Sequence, residues 1–134
     1  MAEAFKLKVI SPDRIFYEGE ATMLELNTIE GIVGIYKNHM PMTYIIAPGV
    51  MTITEPDDSK KIAALHSGFM QILQDEITVL AETVEWPDEI DENRAKEAQL
   101  RAERRLAMKD PAVNLQRAEL ALHRALTRQE AKKS

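Results

Sequence analysis

The sequence of 134 residues has no cysteine and few aromatic residues, with three Phe, three Tyr and one Trp. Without cysteine, disulfide bonds and thiolate metal sites are excluded, and a reducing compartment is compatible. No apolar run approaches the roughly 18 residues that a membrane-spanning helix needs, and the first residues lack a charged-then-apolar leader. We therefore expect a cytosolic protein, which stays compatible with attachment to a membrane-bound assembly.

Patterns that support catalysis are also missing. The three histidines, His39, His66 and His123, are far apart and share no metal-ligand spacing; we expect them in a loop, in a strand and on a helix surface. The five glycines lie at predicted turns and strand ends and form no phosphate-binding loop. No pair of carboxylates stands out from the surface acids. We expect no enzymatic activity from this chain alone.

Residues 1–86 have the pattern of a β-domain. Apolar and polar residues alternate in Phe5–Val9, as in a strand with one solvated face, and further short strand candidates follow with turn signals between them. These candidates are Arg14–Tyr17, Ala21–Thr28, Ile32–Ile35, Met42–Ile46, Val50–Thr54, Lys61–Leu65, Phe69–Leu73 and Ile77–Glu85. Because no helix intervenes, the spacing predicts an antiparallel sandwich or a flattened barrel.

The alternation stops at Trp86-Pro87, which we take as the boundary between domains 1–86 and 87–134. Asp88 is the predicted cap of a first helix that runs to about Met108. A compact turn at Lys109-Asp110-Pro111 is predicted next, with Asp110 as the cap of a second helix.

Both predicted helices carry narrow apolar faces that consist largely of alanine. One face holds Ala95, Ala98, Ala102 and Leu106, and the other holds Leu115, Ala118, Leu122 and Ala125. Two such helices joined by a short turn should form an antiparallel hairpin. Since alanine buries little area, we expect this hairpin to be marginally stable and able to open.

Charge is distributed unevenly between the two parts. Residues 1–86 contain six Lys/Arg and thirteen Asp/Glu, a balance of −7, whereas residues 87–134 contain eleven and nine, a balance of +2. A basic second helix on an acidic body indicates an anionic partner for that helix. The alternative is an ordinary solvated helix face.

Four arginines of the predicted hairpin are spaced to share faces. Arg124 and Arg128 lie one turn apart, and Arg94 and Arg101 lie two turns apart. If the hairpin folds, the four guanidinium groups could converge on a phosphate chain, which suits their fork geometry. In the alternative interpretation, Arg94 and Arg101 pair with Asp91 and Glu97 on the same helix, and the other two are solvated.

Nine short motifs follow one another along the chain. They are Ser11-Pro12-Asp13-Arg14, Phe16–Glu20, Thr28–Gly31, Gly34-Ile35, His39-Met40-Pro41, Pro48-Gly49, Ser67-Gly68-Phe69, Thr78–Ala81 and Ile90-Asp91-Xaa-Xaa-Arg94-Ala95. In this order they resemble the epsilon subunits of bacterial F-type ATP synthases. The resemblance covers nearly the whole chain and implies an α+β fold, an antiparallel ten-stranded β-sandwich followed by a C-terminal antiparallel two-helix hairpin.

This resemblance implies a non-catalytic rotor subunit that couples rotation to proton transport. The sandwich would dock on the gamma subunit and touch the c-subunit ring through a loop that includes Glu30, Gly31, His39 and the rest of Lys37–Pro41. The hairpin would be a switch that permits ATP hydrolysis when folded, and blocks it when extended into the alpha/beta catalytic head. The location would be the cytoplasmic face of the cell membrane, peripheral, without direct membrane insertion or a nucleic-acid partner.

Some members of this family bind ATP in the folded hairpin as a regulatory ligand, and the resemblance leaves the involvement of Mg²⁺ open. Carried over to matching positions, the nucleotide site comprises Glu85, Ile90, Asp91, Arg94, Ala95, Arg101, Arg124 and Arg128.

Departures from the family pattern include Ser67 in place of a glycine and Ile32 in place of an acid. Two alternatives remain at this point. The first is a purely structural coupling subunit that senses no nucleotide, and the second is a freestanding sandwich module that binds another partner.

Overall fold

The computed structural model describes residues 3–107 and 115–133. Ten strands are followed by a short 3₁₀ helix and two α-helices, which confirms the predicted α+β fold. The strands are β1 (Phe5–Ser11), β2 (Arg14–Ala21), β3 (Met23–Thr28), β4 (Gly31–Ile35), β5 (Met42–Ile46), β6 (Gly49–Thr54), β7 (Lys60–Leu65), β8 (Gly68–Ile72), β9 (Glu76–Ala81) and β10 (Val84–Glu85). The helices are α1 (Glu92–Ala107) and α2 (Leu115–Lys133).

The ten strands form one sheet that folds over on itself. Along the sheet the order is β10-β7-β6-β3-β5-β8-β9-β1-β2. Strand β4 lies outside this order and pairs with β3. A single residue pair, Thr28 with Ile46, joins β3 to β5, so two layers meet at this narrow junction. The inward residues of both layers form one core, as the alternation in Phe5, Leu7 and Val9 predicts.

The sheet is mostly antiparallel, but one pair departs from the prediction. β1 runs parallel to β9, with Leu7 opposite Ile77 and Val9 opposite Val79. Only strands joined by a tight hairpin must be antiparallel. Seven strands separate β1 from β9 along the chain, so their relative direction follows from closure of the sandwich and is not visible in local periodicity.

His66 was predicted to lie in a strand, and this prediction is wrong. It lies with Ser67 in the two-residue connection between β7 and β8. Its backbone N–H donates to the Thr83 carbonyl at 3.0 Å, and its side chain is fully buried. The connection therefore places the imidazole of His66 in the interior, next to Glu85 of β10.

The transition from sandwich to hairpin is an ordered turn. Trp86 stacks on Phe16 with ring centroids 4.1 Å apart, and its backbone N–H donates to Glu89 at 2.9 Å. Arg14 donates to the same Glu89 carboxylate oxygen at 2.7 Å. The 3₁₀ helix Pro87–Glu89 is thus fastened to β2 before the first α-helix begins.

The prediction that Asp88 caps the first α-helix is wrong. Asp91 is the cap, because its side chain accepts the backbone N–H groups of Asn93 and Arg94 at 3.0 and 3.2 Å. The helix begins later than predicted because Pro87 starts a 3₁₀ turn, which ends at the extended residue Ile90.

The alanine seam between the helices is largely confirmed. Ala95 and Ala102 of α1 and Ala118 and Ala125 of α2 are buried, whereas Leu115 is exposed, contrary to its predicted place in the seam. The predicted end of the first helix at Met108 and the turn at Lys109-Asp110-Pro111 lie outside the described residues.

Of the two helices, α2 makes the more extensive contacts with the sandwich, and these are on β6 and β7. Helix α1 packs mainly on α2. Ala131 is buried with Ile90 against Ala64 of β7. Lys132 near the end of α2 donates to the Pro87 carbonyl at 2.9 Å. Because the end of α2 lies beside the start of α1, the helices form the predicted antiparallel hairpin.

Gly68 provides a test of the sheet geometry. Its φ is +159°, and a Cβ atom at this position would overlap the Leu80 carbonyl oxygen of β9. We therefore expect Gly68→Ala to lower the free energy of unfolding by about 2 kcal/mol or more. Gly34→Ala is the control, since no atom lies within 4 Å of its Cβ position. Urea denaturation measures both variants, and equal stability would contradict this packing.

Candidate functional site

A polar pocket of about 300 Å³ lies where the hairpin meets the edge of the sandwich. Six of the eight residues predicted for the nucleotide site line it together. These six are Glu85, Asp91, Arg94, Ala95, Arg101 and Arg128, and the lining is completed by Glu89 and Ala98. The fold thus brings together residues of β10, of both helices and of the turn between sheet and hairpin.

The other two predicted residues, Ile90 and Arg124, lie outside the lining. The Ile90 side chain is buried in the apolar contact with Ala131. Arg124 donates to the Ser67 hydroxyl at 3.4 Å and lies 3.9 Å from the Glu82 carboxylate. Their assignment to the nucleotide site stays a prediction, and in this arrangement both residues hold the hairpin on the sandwich.

Glu89 is a pocket residue that the sequence reasoning did not assign to the site. The Arg14 guanidinium, together with the Trp86 backbone N–H, holds the pKa of Glu89 below its usual range. The sequence shows Glu89 as an acid near the start of the hairpin, but the direction of its side chain depends on the 3₁₀ turn. The contact with Arg14, 75 residues earlier in the chain, had no local signal.

The centre of the site is an ion pair between sheet and hairpin. Arg128 Nε donates to Glu85 Oε1 at 2.6 Å, and His66 Nε2 lies 3.4 Å from the same oxygen. The His66 imidazole and then the Arg128 guanidinium lower the pKa of Glu85 to about 2, against the opposing effect of burial. Glu85 is therefore a carboxylate at neutral pH.

Two arginines in the pocket lack such partners. Across residues 3–107 and 115–133, the structure shows no ion pair or hydrogen bond for the guanidinium groups of Arg94 and Arg101. The alternative pairing with Asp91 and Glu97 is therefore not observed. Asp91 instead caps α1 through its backbone contacts.

Three carboxylates and four guanidinium groups lie in or beside the pocket. Glu85 pairs with Arg128, Glu89 pairs with Arg14, and Asp91 accepts backbone N–H groups. The charge of Asp91 offsets one of the two remaining arginines, Arg94 and Arg101 on α1, so the site has a net charge of +1. A small, highly charged anion that accepts several hydrogen bonds matches this arrangement better than a cation does.

Within the part of the chain that the structure describes, no cluster of three or more His, Asp or Glu side chains could hold a metal ion. None of the helices described is both long and apolar enough to cross a membrane.

The ring-contact residues were predicted to lie in one loop, and the structure places them in two separate segments. Glu30 lies in the turn between β3 and β4, Gly31 is the first residue of β4, and His39 belongs to the loop between β4 and β5. Strand β4 separates the two groups because it pairs along its whole length with β3. Exposed Ile29 and Met40 accompany them, one in each segment.

An apolar row crosses the outer face of the sandwich. Ile45, Phe69 and Leu80 are neighbours on β5, β8 and β9, and each is about half exposed, at 49%, 55% and 47%. They line a shallow depression of about 630 Å³. Contiguous exposed apolar residues of this kind mark interaction surfaces.

The Glu85 pair predicts a specific dependence of stability on pH. Because the folded-state pKa is about 2 and the usual value is 4.5, its contribution is present above about pH 4.5 and is lost as pH falls toward 2. At about pH 7, Glu85→Gln should lower the free energy of unfolding by about 2 kcal/mol, and the difference from wild type should shrink in acid.

Urea denaturation at a series of pH values measures this effect. Glu97→Gln on the exposed surface of α1 is the control and should stay close to wild type throughout. A deficit in Glu85→Gln that is the same in acid and at neutral pH would show that Glu85 does not act through its charge.

Two family models together match almost the whole chain. The beta-sandwich domain of the ATP synthase Delta/Epsilon chain matches residues 4–87, and its long alpha-helix domain matches residues 88–133. The ATP synthase epsilon chain of Clostridium novyi (strain NT) is 44% identical over 129 residues, covering 96% of this chain and 97% of the relative. That of Caldicellulosiruptor bescii is 41% identical over 128 residues, covering 96% and 92%.

Solved structures share the same fold. One is a chain of the Euglena gracilis mitochondrial ATP synthase, OSCP/F1/c-ring in rotational state 1, with a TM-score of 0.83, 20% identity, and coverage of 93% of this chain and 79% of that chain. Another comes from the central stalk/c-ring structure of the Tetrahymena thermophila enzyme, with a TM-score of 0.64, 12% identity and 98% coverage of both chains. From the two family models and the close relatives together, the chain belongs to the ATP synthase delta/epsilon chain family.

Proposed function

We propose that this protein is a non-catalytic central-stalk subunit of an F-type ATP synthase, which couples rotation to proton transport. We further propose that its hairpin inhibits ATP hydrolysis when extended, and binds ATP when folded. Family membership supports the first part, as do the neighbours in structures of F1 with the c-ring and of a central stalk. The net positive charge of the hairpin pocket, with Arg94 and Arg101 outside the ion pairs of the described residues, supports the second.

The apolar row Ile45, Phe69 and Leu80 supports a docked sandwich. We assign this surface to the gamma subunit, because a permanent partner would remove its apolar area from water. At roughly 25 cal/mol per Å², even a small apolar patch contributes several kcal/mol to association before the entropic costs.

Ring contact is assigned to the exposed turns at the two ends of β4. Glu30 lies in the turn before β4, Gly31 begins the strand, and His39 lies in the loop after it. The protein would then be peripheral on the cytoplasmic face of the membrane, held there by the c-subunit ring.

The observation that carries the nucleotide proposal concerns Arg94 and Arg101, which line the same pocket as Arg128. Their guanidinium groups have no ion pair or hydrogen bond with any other residue that the structure describes. Phosphate oxygens are strong acceptors for such groups. ATP in this pocket would bridge α1 and α2, and Asp91 and Ala95 would line the remainder of the site. Since α1 packs mainly on α2, a ligand that contacts both helices stabilises the closed hairpin.

This geometry provides a regulatory mechanism. Ligand bound only to the folded hairpin increases its population by mass action, and without ligand α2 is held by its alanine seam with α1 and by its contacts with β6 and β7. Released, the basic helix α2 would extend toward the alpha/beta head and block hydrolysis. ATP concentration would thereby set the fraction of inhibited complexes.

A second function is supported by a specific observation. Arg124 and Arg128 already pair with Glu82 and Glu85 of the sandwich, as they would in a hairpin that stays folded. The protein would then be a purely structural coupling subunit without nucleotide sensing. The two functions differ in whether ligand and hairpin affect turnover.

Binding of ATP to the isolated chain tests the site. We expect calorimetry to show binding without phosphate release, and Arg94→Ala and Arg101→Ala each to weaken it on the order of tenfold. Lys96→Ala is the matched control, because Lys96 pairs with Glu92 and does not line the pocket. If both arginine variants bind ATP like wild type, the site assignment is wrong.

Removal of the hairpin tests the regulatory role in the assembled enzyme. A reconstituted ATP synthase whose subunit lacks residues 88–134 should hydrolyse ATP faster at low ATP concentration, because the inhibitory helix is missing. The complex with the full chain provides the reference rate. Unchanged hydrolysis would favour the structural coupling subunit.

A further inference from the structure

We infer that Ser67 and Glu82 form an acceptor site for Arg124, which latches α2 onto the sandwich in the absence of any ligand. The three residues, called the Ser67 latch below, come from the β7–β8 connection, the β9–β10 connection and α2. This role goes beyond the proposed nucleotide site, and no step of it requires ATP. The glycine that the family pattern has in place of Ser67 would lack the hydroxyl.

Ser67 lies between the two charged groups and bonds to both. Its hydroxyl donates to Glu82 Oε2 at 2.9 Å, and the same hydroxyl oxygen accepts from Arg124 Nη2 at 3.4 Å. Because the single hydroxyl proton goes to the carboxylate, the lone pairs of the oxygen remain for the guanidinium. The direct Arg124–Glu82 distance is 3.9 Å, and an exposed ion pair of this length contributes little alone. The hydroxyl therefore strengthens the attachment by bridging the pair.

The acceptor site is fixed by the backbone of the sheet. The Glu82 N–H donates to the Ser67 carbonyl at 2.8 Å. Next to these residues, Gly68 pairs with Ala81 at one end of the β8–β9 ladder. Since these contacts lie within the sandwich, the two acceptors are held side by side independently of the hairpin. Docking of α2 then needs to order only the Arg124 side chain, which limits its entropic cost.

The Arg124 side chain is directed away from the polar pocket of the hairpin. It does not line that pocket, and its Nε atom is buried without a hydrogen-bond partner among the described residues. Only the outer end of the guanidinium is therefore engaged, and that end contacts the latch. A ligand in the pocket would gain Arg124 only if this side chain left both acceptors. The latch thus leaves ligand binding to the arginines that line the pocket.

Two arginines of α2 reach separate acceptors on the sandwich. Arg124 and Arg128 lie one helical turn apart, and Arg128 contacts Glu85 whereas Arg124 contacts the latch acceptors. Like charges at this spacing repel each other, so a separate carboxylate for each arginine offsets the repulsion. Two contacts on one face of α2 also fix its rotation, which one ion pair cannot do.

Thiol labelling of the isolated full chain without nucleotide tests the latch. Because the chain has no cysteine, Thr127→Cys introduces a single thiol at a buried position of α2 beside the sheet. At low reagent concentration the labelling rate follows the opening equilibrium. In this background, Ser67→Ala and Arg124→Gln should each raise the rate on the order of three- to tenfold, because the hairpin opens more often. The double variant should label no faster than Arg124→Gln alone, since both changes break one contact.

Two controls separate the latch from general effects on stability. Arg105→Gln removes an exposed arginine of α1 and should leave the labelling rate unchanged. A thiol introduced instead by Val9→Cys, in the core of the sandwich, should label at the same rate with and without Ser67→Ala. An unchanged rate in Ser67→Ala, additive effects in the double variant, or equal acceleration at both thiols would overturn the latch.

ATP hydrolysis by the reconstituted enzyme separates this inference from the proposed function. If both are correct, Ser67→Ala should slow hydrolysis at low ATP concentration, because the inhibitory helix leaves the sandwich more often. Faster labelling of the thiol with unchanged hydrolysis would uphold the latch and overturn the inhibitory role of the hairpin. Slower hydrolysis with unchanged labelling would overturn the latch and leave the inhibitory role intact.

Discussion

The ion pair between Arg128 and Glu85 is the contact on which the arrangement of the two domains depends. It joins the second hairpin helix to the last strand of the sandwich at 2.6 Å, beside a small apolar contact of Ala131 with Ala64. Alanine contacts bury little area, so directed polar contacts contribute much of the specificity of docking. A ligand that bridges Arg128 and the arginines of α1 would therefore add contacts between the helices beside this ion pair.

The two helices differ in how they are attached to the sandwich. Helix α2 lies between the sheet and α1, so opening requires α2 to leave β6 and β7 and to separate from α1. Because the Phe16–Trp86 stack and the Arg14–Glu89 pair hold the preceding turn, the hinge is expected after Glu89. In the proposed function, the sandwich would then remain docked on the gamma subunit while the helices change position.

Much of this was visible in the sequence because strands and helices leave local signals. Alternation located nearly every strand, and three- and four-residue spacing placed Ala95, Ala102, Ala118 and Ala125 in the seam. The errors lie where geometry depends on distant residues. Neither the parallel pairing of β1 with β9 nor the Arg14–Glu89 contact has a local signature, and a 3₁₀ turn moved the helix cap from Asp88 to Asp91.

Six of the predicted site residues meet in one pocket because both helices were placed correctly. Spacing could not separate Arg128, which faces the pocket, from Arg124, which faces Ser67 and Glu82. His66 was predicted to lie in a strand and was not assigned to the site, because a single histidine in a β-rich region has no local signal for a functional role. Its significance depends on burial beside Glu85, which only the fold reveals.

The central claim, that ATP holds a closed hairpin that otherwise opens, is tested most directly by a distance measurement in the assembled complex. Since the chain has no cysteine, two introduced cysteines can carry spin labels at exposed sites, Asp57 in the β6–β7 turn and Glu119 on α2. Pulsed electron paramagnetic resonance should give a single distance with ATP, that of the folded hairpin, and a second, different distance without it. The same single distance under both conditions would contradict the account.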